Sequence, residues 1–288
     1  MKTAYPSVFQ EIATWAASHN LSVTEARVRF VQYAVLRAIA GSRTLSSILV
    51  FKGGNALDFV WQPNRSTKDL DFSSTDPSLN EEALRRYLTQ GLEQVRRALG
   101  VAFRVQRVER QPPGAEKTFV TYAVTIGYAL PDEPRNQERI AKEQPCPNVV
   151  PLDISLNEPI CDTQDIDVQG VNPLRVSTLE DIVAEKLRAL LQQPIRNRNR
   201  RQDLLDIAVL LRADVSLDFA RVAEYLKRKA EARGVRVSRA AFNSAEVKDR
   251  AQVDYAALKG STRAAFIPFE EAFQQLVAFV GKLDIPEH

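Results

Sequence analysis

The sequence predicts an α+β fold: a mixed sheet core with N-terminal helices and a helical C-terminal portion. Three observations carry that expectation. Apolar residues at the start of the chain recur at helical spacing. Short strand-like runs broken by turn residues then follow one another from Ile48 to Leu156. Beyond Asn172-Pro173 the pattern turns helical again and stays so.

From Tyr5 to Ser18, and from Thr24 to Ala40, the spacing predicts packing helices, with Val28, Val31, Val35 and Ile39 on one face and Gly41 as a stop. Ile48-Leu49-Val50-Phe51 is a short apolar run that ends at Gly53-Gly54 and leads into Ala56-Leu57 and Phe59-Val60-Trp61, so strand, glycine turn and helix follow in order. Gln62 to Ser66 reads as a polar turn, Asp69 to Phe72 as a second strand, and Asn80 to Leu99 as a long amphipathic helix. Ala102–Val108 and Phe119–Tyr128 alternate as paired strands, joined by a loop containing Gln111-Pro112-Pro113-Gly114. The polar stretch Pro131 to Pro147 reads as an exposed loop, and Val149 to Leu156 as a strand with one acid, Asp153, at its centre. Helices are expected over Thr178–Leu191, Arg201–Leu211, Asp218–Ala232 and Phe269–Val280.

Composition narrows the function. The 288 residues are 44% hydrophobic and 26% charged, enough apolar material for one large core or two small ones. The net charge of +3 is too small for bulk polyelectrolyte binding, so contact with nucleic acid must come from local clusters. Cys146 and Cys161 match no metal spacing and are expected as free thiols. No apolar run approaches the roughly 18 residues of a membrane span, and Met1–Ser18 does not read as a signal peptide, so a cytoplasmic protein is expected. With His19 and His288 the only histidines, triads and His-based zinc sites are excluded, leaving carboxylates, Lys and Arg to carry chemistry.

The most constraining stretch is Lys68-Asp69-Leu70-Asp71-Phe72-Ser73. On a strand, residues i and i+2 share a face, so Asp69 and Asp71 point into one volume. Two carboxylates at ~4 Å repel by roughly 4 kcal/mol near a protein surface. A hard divalent cation removes that cost, and carboxylates with substrate phosphates are the usual holders of Mg²⁺. Upstream, Gly53 and Gly54 at a helix start offer backbone N–H groups to a phosphate, with the Asn55 amide as a further donor. Either feature alone also fits a structural reading: a tight turn for the glycines, a solvated edge for the aspartates. Together, Gly53-Gly54-Asn55, Arg65, Thr67, Asp69 and Asp71 occur in the order phosphate loop, basic residue, hydroxyl, metal pair. Arg65 fits either a phosphate clamp or a partner for Asp69. Asp153, flanked by Leu152 and Ile154 on an apolar strand, is a third candidate carboxylate or a paired structural acid.

The segments Lys52–Leu57 and Arg65–Phe72 resemble the signature of the AbiEii-type nucleotidyltransferases, toxins of type IV toxin–antitoxin and abortive-infection systems within the DNA polymerase β-like nucleotidyltransferase superfamily. A second block, Leu179–Leu190 followed by Arg200–Ile207, matches the family's later Lys- and Asp-containing motifs. Asn55 stands where the wider superfamily has a Ser hydroxyl, and Gln202 where many relatives have a basic residue.

The layout predicts packing helices over 1–45, a core over 46–170 that the resemblance implies is a nucleotidyltransferase, and a helical C-terminal domain over 171–288. The resemblance implies two Mg²⁺ ions on Asp69 and Asp71 with Asp153, an NTP held by Gly53, Gly54, Asn55, Arg65 and Thr67, and a site completed by Lys186 and Asp203. Lys186 also fits an exposed charge beside Glu185. The implied reaction moves a nucleoside monophosphate to the 3′ end of tRNA and blocks translation, and a cognate antitoxin protein is the implied partner. Arg196, Arg198, Arg200 and Arg201 form a local basic cluster suited to RNA phosphates, and a second runs from Lys227 to Arg239. Two other readings stand beside this one: a nucleotidyl- or phosphotransferase acting on a protein hydroxyl, and an inactive nucleotidyltransferase fold serving as an RNA-binding or regulatory module.

Overall fold

The computed structural model describes residues 5–61, 64, 67–113, 119–263 and 265–288. Arg65, an expected site residue, lies outside the described residues. The chain divides into two compact units: Met1–Val60 with Thr67–Glu158 and Gln164–Val176, and Trp61–Ser66 with Pro159–Thr163 and Ser177–His288.

In the first unit, α1 (Ile12–Ser18), α2 (Val23–Gly41) and α3 (Arg43–Ile48) precede the sheet. Ser22 and Glu25 form a reciprocal capping box at the start of α2, which satisfies donors the helix itself leaves open. The expected stop at Gly41 is followed at once by the extra helix α3, started by the Ser42 side chain on the Leu45 N–H. The strands are β1 (Leu49–Lys52), β2 (Leu70–Ser74), β3 (Ala102–Gln111), β4 (Thr121–Ala129), β5 (Val149–Ser155), β6 (Thr163–Ile166) and β7 (Leu174–Ser177). They form one mixed sheet in the order β3-β4-β5-β2-β1-β7-β6. Between β1 and β2, α4 (Gly53–Ala56) runs on into a wider turn, Leu57–Trp61.

The long helix α5 (Glu81–Leu99) starts at Asn80, whose side chain accepts from the Ala83 N–H. It ends at Gly100, where φ is +70°, a left-handed C-terminal cap that glycine adopts without strain. Gly91 lets α5 approach α2, because a Cβ there would sit 2.7 Å from the Ala38 carbonyl oxygen.

The stretch expected as an exposed loop contains α6 (Pro134–Ala141), with Pro134 in its first turn. Ile140 on α6 is buried with Ala102, Ala129 and Cys146, so tertiary burial selects a helix that the polar sequence does not announce. Strands β6 and β7, four residues each, were also not expected from the sequence.

The second unit is helical: α7 (Leu179–Leu191), α8 (Gln193–Arg196), α9 (Arg201–Arg212), α10 (Phe219–Ala232), α11 (Arg239–Phe242), α12 (Ala245–Gln252) and α13 (Phe269–Val280). The Thr178 hydroxyl caps α7 and the Asp218 carboxylate caps α10. Leu187, Leu190, Leu204, Leu205, Ala208 and Leu226 form its fully buried apolar centre. Among the described residues no helix is long and apolar enough to cross a membrane, and both cysteines are free.

Replacing Gly91 with Ala forces α2 and α5 apart or displaces the Ala38 carbonyl. Urea unfolding is expected to show a loss of about 1–3 kcal/mol, the range for an overpacked core site.

Candidate active site

Strand pairing puts an acid at the same level on two adjacent strands. Asp71 on β2 pairs with Lys52 on antiparallel β1 and with Asp153 on parallel β5. Register partners share a face, so Lys52, Asp71 and Asp153 stand side by side on one face of the sheet. The neighbours Leu70 and Phe72 point the other way and are fully buried, which fixes the face on which Asp71 emerges. Asp69 precedes the strand by one residue and is exposed. Burial and then the negative charge of Asp69 push the Asp153 carboxyl above its ordinary value, against the pull of Lys52. Asp69 and Asp153, far apart in sequence, therefore sense one another. Lys52 also pairs with Glu158, just beyond β5.

Gly53 closes this row from the β1 side. Its φ is +76°, and a Cβ there would lie 2.4 Å from Asp71 Oδ2. The glycine thus does two jobs: it takes a left-handed turn that other residues resist, and it vacates the space that the Asp71 carboxylate fills.

Asn55, expected as a donor to phosphate, is 1% exposed. Its amide nitrogen donates to the carbonyl of Asp69 at 2.6 Å and to that of Thr67 at 3.2 Å. The structure thus gives Asn55 the task of holding the segment that carries Asp69. The Thr67 hydroxyl, expected to face nucleotide, is buried and has no hydrogen-bond partner among the described residues.

The second unit holds a group of its own. Lys186 on α7 is buried, and its Nζ donates to Asp203 Oδ1 and Asp206 Oδ2, both at 2.8 Å. This excludes the exposed-charge reading of Lys186. Burial alone pulls the lysine pKa down, but Asp203 and then Asp206 more than reverse that and raise it above the ordinary lysine value. A cation with a raised pKa stabilises the fold at every pH below the unfolded value and loses that contribution only as pH climbs through the folded value, so Lys186 stays charged through the neutral range. Arg200 Nη1 lies 3.9 Å from Asp203 Oδ2, the Asp203 oxygen that Lys186 does not take.

Among the described residues no group of three or more His, Cys, Asp or Glu side chains is arranged as a ready metal site. The chemistry of the donors nevertheless fits a hard cation: oxygen ligands only, at least two of them in register.

The sequence profile described as "Nucleotidyl transferase AbiEii toxin, Type IV TA system" matches residues 34–278. The chain belongs to the AbiEii family. It is a nucleotidyltransferase of the toxin type, its substrate is an NTP, and membership of a type IV toxin–antitoxin family implies an antitoxin partner. The fold agrees with solved structures. MenT4, a nucleotidyltransferase toxin from Mycobacterium tuberculosis H37Rv, superposes with a TM-score of 0.56 at 18% identity, covering 96% of this chain and 90% of that one. JHP933 from Helicobacter pylori gives 0.50 at 17% identity, with 91% and 92% covered. No curated protein matches the chain in sequence.

Within this AbiEii member, two contributors escaped sequence reasoning. Asp206 follows Asp203 by three positions on α9, the spacing that puts both on one helix face, and that was the available signal. Lys52 stands in the Lys-Gly-Gly-Asn turn, and only strand register reveals that it sits beside Asp71.

Gly53→Ala is expected to cost about 1–2 kcal/mol from the left-handed backbone alone and to displace the Asp71 carboxylate, read by urea unfolding beside a Mn²⁺ titration. Lys186→Met leaves the buried Asp206 and the half-buried Asp203 carboxylates without the cation between them. The expected loss is about 3–5 kcal/mol, as for a buried pair with one partner removed, and Asp206→Asn, which keeps the Lys186–Asp203 bond, is expected to lose less in the same measurement.

Proposed function

We propose that this toxin transfers a nucleoside monophosphate from an NTP to the 3′ end of tRNA in a Mg²⁺-dependent reaction. The observation that carries the reading is the row Lys52–Asp71–Asp153 closed by Gly53. Asp71 and Asp153, with Asp69 beside them, would hold the metal. Bound Mg²⁺ supplies a lowered pKa for the attacking hydroxyl and charge stabilisation for the α-phosphate and leaving pyrophosphate.

The chain's own residues do the rest. The Gly53–Gly54 main chain offers its N–H groups to the phosphates, and Gly53 leaves the Asp71 carboxylate in place. Lys52, shared between Glu158 and the carboxylate row, adds positive charge beside the reacting phosphate. Within the second unit, Lys186 is kept protonated by Asp203 and Asp206.

Of the basic cluster, Arg196 and Arg198 are exposed and make no ion pair among the described residues, whereas Arg200 and Arg201 lean towards Asp203 and Asp254. Arg196 and Arg198 are therefore the better candidates for RNA phosphates. The second cluster is largely spent: Lys229 is buried against Asp181, Lys227 pairs with Asp284, and Arg239 pairs with Glu287.

Purified protein incubated with each labelled NTP, Mg²⁺ and total tRNA is expected to label tRNA, and Asp71→Asn is expected to cut the rate by at least about a hundredfold, the scale of losing one key electrostatic contact. Label appearing in protein instead would move the reading to a protein hydroxyl, and no label with RNA binding intact would make the fold a binding module. In the same assay, Arg196→Ala and Arg198→Ala should each raise the KM for tRNA and reduce the salt slope by about 0.7, the value per phosphate contact on a single strand.

A further inference from the structure

Of the three expected metal-side carboxylates, Asp69 alone lies outside the strand ladder. Asp71 and Asp153 are fixed by pairing on both sides, while β2 begins only at Leu70. What holds the backbone of Asp69 is a buried polar chain that starts at the far N-terminus. Arg29 on α2 pairs with Asp58, both almost wholly buried. The Tyr5 hydroxyl reaches Asp58 Oδ2 at 3.0 Å and Asn55 Oδ1 at 2.6 Å, and the Arg29 guanidinium stacks over the Tyr5 ring at 4.6 Å. Asn55 then donates to the carbonyls of Thr67 and Asp69, and Gln32 Nε2 donates to those of Thr67 and Lys68 at 2.9 and 3.2 Å.

The orientation of this chain is forced. Turning the Asn55 amide over would press its oxygen against two carbonyl oxygens, so the nitrogen must face Thr67 and Asp69 and the oxygen must face Tyr5. Tyr5 has one proton and two acceptors in reach. Burial, and then the Asp58 charge, push its pKa well above the ordinary tyrosine value, so the hydroxyl remains a donor. Without that hydroxyl, Asn55 Oδ1 is left buried without the donor it now has, and the amide loses the contact that holds it in place.

We propose that Tyr5, acting through Asn55, is a positioning residue for the carboxylate site: together with Gln32 it fixes the Thr67–Asp69 backbone and so sets where the Asp69 carboxylate meets the cation. The proposal rests on the metal-dependent reading of the site above.

The test uses the full chain and Mn²⁺ alone, followed by the paramagnetic resonance signal of the free ion, with a urea midpoint for each variant. Tyr5→Phe keeps the ring and removes the hydroxyl; Gln32→Met keeps the volume and removes the amide. Both are expected to weaken Mn²⁺ binding by about 10- to 100-fold, the range for losing a group that orients a metal ligand. In turnover, both should raise the Mg²⁺ needed for half-maximal rate while the KM for RNA stays unchanged. Tyr33→Phe is the control: its hydroxyl is buried with no hydrogen-bond partner among the described residues, and its removal should leave Mn²⁺ binding as in the parent chain. If Tyr5→Phe does not fold, Gln32→Met decides alone. A parent chain that binds Mn²⁺ and variants that bind it equally well would overturn the positioning role and leave the metal reading standing. A parent chain that binds no Mn²⁺ would overturn both.

Discussion

Everything at the candidate site depends on two acids held in register across neighbouring strands. Asp71 and Asp153 face each other across a parallel pair, an arrangement that costs free energy because like charges opposite one another repel. The fold imposes it through the apolar residues on either side. Leu70, Phe72, Leu152 and Ile154 are fully buried on the opposite face, and slipping either strand by one residue would expose all of them. Several buried apolar side chains at about 1.5–3 kcal/mol each outweigh one carboxylate repulsion of a few kcal/mol. Lys52, on the strand beside Asp71, offsets part of the charge around Asp153, whose carboxyl is raised by burial and then by Asp69.

The buried charge in the second unit follows a different logic. Lys186 is surrounded by two carboxylates and sits in an apolar environment, where taking an ammonium out of water costs several kcal/mol. Such a pair contributes little net stability compared with an apolar replacement, so its presence calls for another reason. A lysine held by two acceptors on one face of α9 fixes how α7 and α9 meet, a constraint that apolar packing alone does not impose.

Legibility in the sequence followed the range of the interactions. The closeness of Asp69 and Asp71 was readable, but the strand expected to carry both begins only at Leu70, and the lone acid in the Val149–Leu156 run stood out because an unpaired charge there would be expensive. The long helix was readable from its Asn80 cap to its Gly100 stop. Helix α6 was not, since Ile140 gains its helical context only from Ala102, Ala129 and Cys146 on other elements. Nor were β6 and β7: four residues with a polar pattern such as Thr163-Gln164-Asp165-Ile166 carry too little periodicity to distinguish strand from loop. The partnership of Tyr5 and Asn55 spans fifty positions, and no local pattern links them.

That last case shows how burial bears on the task of a motif residue. A side chain at the glycine turn with donor capacity invites a phosphate, and Asn55 has that capacity. Its amide has a donor end and an acceptor end, and at 1% exposure both must be satisfied by the protein itself. The donor end finds the two carbonyls just before β2, and the acceptor end finds a tyrosine that arrives from the N-terminus. Burial, which sequence spacing does not report, therefore decides between contact with substrate and support of the residue that makes the contact. The glycines escape this ambiguity because their contribution is the absence of a side chain, and Gly53 has Asp71 pressed against the space where one would be.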